Sequence, residues 1–193
     1  FRRVLFRSTA QRREGDLSKT PVAITVLDAK SLQRNVVTTQ QDIPALASGL
    51  LVQQGASSNQ LSYVIRGQAT DPYSNTRPGV LPYVNEVQVS TTAGSSAIYD
   101  LAGVQVLKGP QGTLFGRNST GGAVLFTTAR PGDEWGGYAS AIFGTDNYLR
   151  AEGAVDLPVG GEVFQARLAG LYETRDPIQK NLLAGKKFGD RDR

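Results

Sequence analysis

Hydrophobic positions recur along the chain with changing periods, and those changes mark its elements. Residues 22–27 place Val22, Ile24 and Val26 on one side of a β-branched run, which predicts a strand. Asp28 then stands where a helix N-cap belongs, ahead of a short helix over 29–34. A second helix is predicted over 43–50 with Asp42 as its cap, because Ile43, Leu46, Ala47 and Leu50 recur at helical spacing. Pro44 suits its first turn and Gly49 weakens its last. Extended segments follow at 51–53, 61–66 and 80–84; Pro82 puts the last of these at a sheet edge or a bulge. Residues 55–60 read as a polar loop, and 68–79, with Asp71-Pro72 and Arg77-Pro78, as a long surface loop. Residues 86–93 are extended and polar, and 95–101 lead through a turn or short helix into a strand at Val104. The order strand, helix, helix, strand, strand, strand, strand predicts a small α+β domain with a mixed sheet.

Residues 104–131, VQVLKGPQGTLFGRNSTGGAVLFTTARP, organise the rest. An alternating entry meets a Gly-Pro-Gln-Gly turn, a short apolar segment and a glycine-rich loop, and a β-branched exit ends at Pro131-Gly132. The prediction is two strands joined by a glycine-locked corner.

Beyond Pro131 the pattern changes. Residues 135–144 are rich in small residues and weakly patterned. Residues 148–157 alternate, with Leu149, Ala151, Gly153, Val155 and Leu157 against Arg150, Glu152 and Asp156. Residues 164–175 alternate again: Phe164, Ala166, Leu168, Gly170 and Tyr172 oppose Gln165, Arg167, Glu173 and Arg175, with Ala169 and Leu171 as exceptions. Turns at 145–147 and 158–162 make these segments antiparallel. Strands of about ten residues with one apolar face suit a membrane barrel wall. A soluble meander has the same local pattern, and periodicity alone favours it.

Composition narrows the classes. In 193 residues with 39% hydrophobic content, a sizeable core is available, and 22 glycines agree with β structure and tight corners. With neither cysteine nor histidine, the chain can hold no disulfide, thiol nucleophile or Ser-His-Asp triad, and zinc coordination is excluded. The net charge of +4 is scattered, so no nucleic-acid partner is expected. No apolar run is long enough for a transmembrane helix, which leaves a barrel open. Methionine is absent, and the chain reads as a fragment of a longer protein. Residues 1–8, FRRVLFRS, lack the apolar stretch of a signal peptide, and residues 2–8 resemble a translated sequencing-library adapter; residues 1–8 read as a non-native leader.

Chemistry is sparse. The glycines of 109–122 invite a phosphate-loop reading, but Gly116 is followed by Arg117-Asn118 where a Walker loop needs its Gly-Lys-Ser/Thr, and the dinucleotide glycine spacing is missing. The structural reading, glycines that permit close backbone approach, is preferred. Among 17 carboxylates, Asp71, Asp100, Asp133, Glu134, Asp190 and Asp192 form no spacing that singles out an acid–base pair. Arg66 and Arg117 each follow an apolar segment beside a glycine and are candidates for paired cations.

The order of pieces resembles the TonB-dependent outer-membrane receptor family. Thr20-Pro21-Val22-Ala23-Ile24-Thr25-Val26 resembles its first plug strand, and Asp42-Ile43-Pro44-Ala45-Leu46 its helix. Tyr63-Val64-Ile65-Arg66-Gly67 resembles its Ile-Arg-Gly element, and Pro82-Tyr83-Val84-Asn85-Glu86-Val87 the segment usually written Tyr-Val-Asp-Gly-Val. The most specific string is carried by Lys108, Gly109, Pro110, Gln111, Gly112, Gly116, Arg117, Asn118, Gly121 and Gly122. Two departures stand out. Ala102-Gly103-Val104-Gln105-Val106 lacks the family's Glu-Arg and Val-Glu-Val charges, and Asn85-Glu86 replaces an Asp-Gly turn.

The resemblance implies an α+β plug domain with a small mixed sheet over 9–131, followed over 132–193 by the first antiparallel strands of a transmembrane β-barrel. It implies a receptor and not an enzyme, in the outer membrane of a Gram-negative bacterium, without a cofactor. Implied partners are outer-membrane lipid, the TonB complex of the inner membrane, and a ferric siderophore or other scarce solute. Arg66 and Arg117 would make plug–barrel contacts. Tyr73, Asn75, Arg77, Gln88 and Ser90 would lie on ligand-facing loops. The alternative is a soluble β-rich binding or adhesion module of the cell envelope.

Overall fold

The computed structural model describes residues 23–55, 60–69, 79–90, 98–112, 119–159 and 164–177, with the backbone of five two-residue strands. These are β1 (Arg7–Ser8) paired with β2 (Gly15–Asp16), β13 (Gln179–Lys180) paired with β14 (Lys187–Phe188), and β15 (Arg191–Asp192). The chain forms two compact units, Phe1–Thr128 and Ala129–Arg193.

The first unit is built on a five-stranded sheet. Its strands are β3 (Ala23–Asp28), β6 (Val80–Val84), β7 (Val87–Gln88), β8 (Leu101–Lys108) and β9 (Gly122–Thr128), in the order β3-β8-β9-β6-β7. Only β6 and β9 pair in parallel, so the sheet is mixed, as expected. A separate antiparallel hairpin joins β4 (Leu50–Gln54) to β5 (Leu61–Ile65), closed by Gly55 N–H donating to the Gln60 carbonyl. Apolar side chains are buried on both faces of the sheet. Val80, Val104, Val106, Val124 and Phe126 pack in one cluster with Leu32, Ile43, Leu50 and Ile65; Leu81, Tyr83, Leu107, Ala123 and Leu125 form the other. A sheet buried on both faces needs continuous apolar runs, which explains why β6 and β9 show no simple alternation. Inside the first cluster the Tyr63 hydroxyl bonds the Gln40 carboxamide oxygen. Burial pushes the Tyr63 phenol above its ordinary pKa, so it stays a neutral donor.

The cap at Asp28 forms as expected. Asp28 is extended, and its Oδ1 accepts from Ser31 N at 2.8 Å to open α1 (Ala29–Arg34). Hydrogen bonds from Ser31, side chain first and then backbone N–H, hold the Asp28 carboxyl below its ordinary pKa. The charged form is therefore favoured in the folded state. Its stabilisation is present above the unfolded-state pKa, about 3.9, and is lost as pH falls through the lower folded value. Asp28→Ala should cost about 1 kcal/mol at neutral pH. Urea unfolding of the full-length protein should show the wild-type advantage at pH 7 and shrink it at pH 3.

Three expectations are corrected. The helix predicted over 43–50 is instead a 3₁₀ helix, Gln40–Ala45, with Thr39 at its N-cap. Asp42 is not the N-cap. It stands in the first turn and reaches back, accepting from Thr39 N at 2.8 Å and Thr38 N at 3.0 Å. That backward bond starts the helix early, and Gly49 at φ +77° turns the chain so that Leu50 opens β4. Ile43, Ala47 and Leu50 are still buried together, so the apolar spacing was informative although the helix type was not.

Pro82 lies neither at an edge nor at a bulge. β6 is flanked by β9 and β7. The Pro82 carbonyl accepts from Val89 N at 3.0 Å, so its ring nitrogen faces the same side, beyond the short β7 ladder. The missing N–H therefore removes no bond to β9. The third correction concerns β8, which begins at Leu101 and carries a bulge before Val104. Leu101 and Gly103 pair with Thr128 and Thr127, leaving Ala102 without a cross-strand partner in that register. A Cβ at Gly103 would stand 2.7 Å from the Leu27 carbonyl oxygen, so the small residue there allows β3 to approach.

Asn85 and Glu86 join β6 to β7 with φ of 47° and 71°, the left-handed pair of a two-residue hairpin. Asn85 fastens this turn to the end of β9: its Oδ1 accepts from Thr128 N at 3.0 Å and its Nδ2 donates to Thr128 Oγ1 at 2.9 Å. Glu86 makes no such bond and carries left-handed strain. Glu86→Gly should raise stability by about 0.5–1 kcal/mol, read as a higher urea midpoint at unchanged slope.

The second unit is an antiparallel sheet in the order β10-β11-β12-β15, with β10 (Gly136–Phe143), β11 (Leu149–Leu157) and β12 (Ala166–Arg175). The three strands and their antiparallel pairing agree with the predicted segments. The polar tail adds a fourth, two-residue strand, β15, opposite Thr174 and Arg175. Asp146 and Asn147, both at positive φ, make the β10–β11 turn.

Candidate functional site

The glycine corner between β8 and β9 is a backbone zipper. Strand pairing ends at Lys108 opposite Gly122. Beyond it, Gly109 N donates to Gly121 O at 2.9 Å, Gln111 N to Ser119 O at 2.8 Å, and Gly121 N to Gly79 O at 2.8 Å. Gln111 and Ser119 are buried, whereas Pro110 and Gly112 are exposed. The amides of Gly109, Gln111 and Gly121 are thus engaged by carbonyls. An anion cradle needs such amides free and convergent. The structural reading of these glycines is supported by their contacts. Gly122 adopts φ +146°, and a Cβ there would stand 2.2 Å from Leu107 O; one at Gly121 would stand 2.6 Å from Gln68 Cβ. Gly116, Arg117 and Asn118 lie outside the described residues.

Arg66 follows β5 at φ 52° and is exposed. Its Nη1 lies 3.5 Å from where a Gly109 Cβ would be, so the guanidinium lies beside the corner. Among the described residues no carboxylate pairs with it. Of the residues expected on ligand-facing loops, Tyr73, Asn75 and Arg77 lie outside the described residues. Gln88, opposite Tyr83 on β7, and Ser90 are exposed.

The charges of the second unit are arranged in pairs that alternation alone does not reveal. Arg150 is 2% exposed, with Nη1 3.0 Å from Glu173 Oε2 and Nη2 2.9 Å from Glu152 Oε2. Glu173 is equally buried. Along the same hairpin Arg167 Nη1 meets Asp156 Oδ1 at 2.8 Å, with its guanidinium 6.0 Å from the Tyr138 ring centre. Arg175 Nη2 meets Asp146 Oδ2 at 3.0 Å beside the β10–β11 turn. One register produces two of these pairs, setting Arg150 opposite Glu173 and Asp156 opposite Arg167. The alternation placed these side chains on one face; matching the signs across a hairpin register was the signal that would have paired them.

The burial of the two faces is the reverse of a soluble sheet. Phe143 is 78% exposed, Leu168 62% and Tyr172 54%, while Arg150, Asp156 and Glu173 are buried. A soluble meander turns its apolar face to the core. A barrel wall turns that face to lipid and its polar face inward.

Residues 16–123 match the family model described as the TonB-dependent Receptor Plug Domain. The chain belongs to the TonB-dependent receptor family. The match falls within the first unit, so the mixed sheet and its glycine corner are the plug, and the antiparallel strands that follow are of the barrel type. Over 166 residues the chain is 31% identical to the pesticin receptor of Yersinia pestis, covering 85% of this chain and 24% of that protein. It is 26% identical over 163 residues to the ferrioxamine B receptor of Salmonella typhimurium, covering 82% and 23%. The crystal structure of the ferric yersiniabactin uptake receptor from Yersinia pestis superposes with a TM-score of 0.80 at 26% identity, covering 90% of this chain and 27% of that one. The chain spans about a quarter of the length of these relatives. As a member of this family the chain belongs to the outer membrane of a Gram-negative bacterium.

Proposed function

We propose that this chain is the plug and first barrel strands of a receptor that takes up a ferric siderophore, driven by the TonB complex of the inner membrane, and that it catalyses no reaction. The observation that carries this reading is the plug corner followed, in one chain, by strands whose apolar face is exposed and whose charged face is buried. Relatives named for ferrioxamine B and ferric yersiniabactin support the choice of solute class. In this reading residues 9–131 are the plug, 132–193 begin the barrel wall against outer-membrane lipid, and 1–8 are a non-native leader. Gln88 and Ser90, with Tyr73, Asn75 and Arg77, face the solute. The test uses the full-length gene in its host under iron limitation. Deleting it should abolish uptake of one radiolabelled ferric siderophore from a panel, and a protonophore should abolish the same uptake in the wild type. Unchanged uptake of the entire panel after deletion would overturn the proposal.

A further inference from the structure

We propose that Asp156 and Arg167 form a latch that pins the segment following the plug at Gly132, and so sets how much free chain separates the plug from strand β10. The Asp156 carboxylate holds two different parts of the second unit at once. Its Oδ1 accepts from Gly132 N at 3.1 Å and from Arg167 Nη1 at 2.8 Å. The surroundings are shaped for that carboxylate. A Cβ at Gly132 or at Gly136 would stand 3.4 Å from Asp156 Oδ2, so the two glycines flank it closely. Arg167 is steadied in turn by the Tyr138 ring. Between Arg130 and Trp135 every residue is exposed except Gly132, which is half-buried.

The consequence is one of reach. β9 ends at Thr128 and β10 begins at Gly136. With Gly132 pinned, the free chain after Thr128 spans at most about 14 Å; released, it spans about 28 Å before β10 begins. A single charge-assisted bond therefore changes the slack of the tether about twofold. That bond is stronger than a neutral one and still breakable in isolation, because it lies at a strand end with only one linker amide in it. The Pro131-Gly132 pair helps, since proline stiffens the approach and glycine allows the amide to come close to the carboxylate.

Hydrogen–deuterium exchange on the full-length receptor tests the latch. In Asp156→Ala, the Gly132 amide should exchange at least tenfold faster, while peptides from β11 and β12 stay within twofold of wild type. Arg167→Met keeps the carboxylate and removes its guanidinium partner, and should accelerate the same linker amide by a smaller factor. Unchanged linker exchange in Asp156→Ala overturns the latch. Equal acceleration throughout β10–β12 also overturns it, because Asp156 would then be a general support of the sheet. No change in Arg167→Met removes Arg167 from the device.

Discussion

Replacing Arg150 with alanine should destabilise the barrel-type sheet by about 3–5 kcal/mol. The guanidinium is buried, and it is bonded to Glu173 at 3.0 Å and Glu152 at 2.9 Å. Removing it leaves two carboxylates close together without the cation between them. Glu173 has almost no exposure to water that could solvate the charge left behind. The paired double replacement Arg150→Met with Glu173→Leu should recover most of the loss, since it removes the buried carboxylate and leaves only Glu152, whose side chain is 18% exposed and reaches water. Heat-dependent migration of the full-length receptor in detergent reads this directly. The single variant should convert to the unfolded form at a clearly lower temperature, and the double variant should lie near the wild type. A loss below about 1 kcal/mol for the single variant would mean that the pair behaves as a surface ion pair.

Gly122→Ala should cost about 3–5 kcal/mol in the plug, the sum of two independent penalties. The backbone at φ +146° lies in a region that residues with a Cβ rarely adopt. The added methyl would also stand 2.2 Å from Leu107 O, a backbone atom of the neighbouring strand, and 3.0 Å from Ile65 Cδ1 in the core. A flexible side chain could move aside, but a strand carbonyl cannot without breaking the β8–β9 ladder. Gly112 supplies the contrast within the same motif. A Cβ there meets nothing within 4 Å and its φ is ordinary, so Gly112→Ala should stay within about 0.5 kcal/mol. Urea unfolding of the plug in the full-length receptor, followed by protease sensitivity, should separate the two. Similar behaviour of both variants would show that the motif's glycines do not act through backbone approach.

These two predictions rest on different kinds of information. The importance of the 109–122 string was legible from its resemblance to a known motif, but nothing in the string distinguishes Gly112 from Gly122. That difference arises because Gly122 stands opposite Lys108 in the β8–β9 ladder while Gly112 is exposed beyond it. The charges at 150, 152, 156, 167 and 173 were legible as one face of two strands. Their pairing required the register, which turn length and packing set together.

The errors have the same origin. Helical spacing predicts Asp42 as a cap for the residues after it, whereas it serves Thr38 and Thr39 before it. A carboxylate at the first turn can act in either direction, and local sequence does not choose. The missing donor of Pro82 predicts an edge or a bulge. The outcome depended on which neighbour its nitrogen would have faced, and that is a property of the sheet order.

By itself the sequence determined what short-range physics controls. It set the Asp28 cap, the β-branched strands, the glycine corner, the antiparallel ten-residue segments and the sorting of charged from apolar side chains onto opposite faces. Those features depend on residues a few positions apart, through backbone dihedrals and the two-residue period of a strand. Tertiary structure alone decided the parallel β6–β9 pairing, the bulge at Ala102, the partners of Arg150 and, above all, which face of the second sheet is exposed. Alternation is unchanged when a sheet is turned over. The sense of a face depends on what surrounds it, and no local period carries that information.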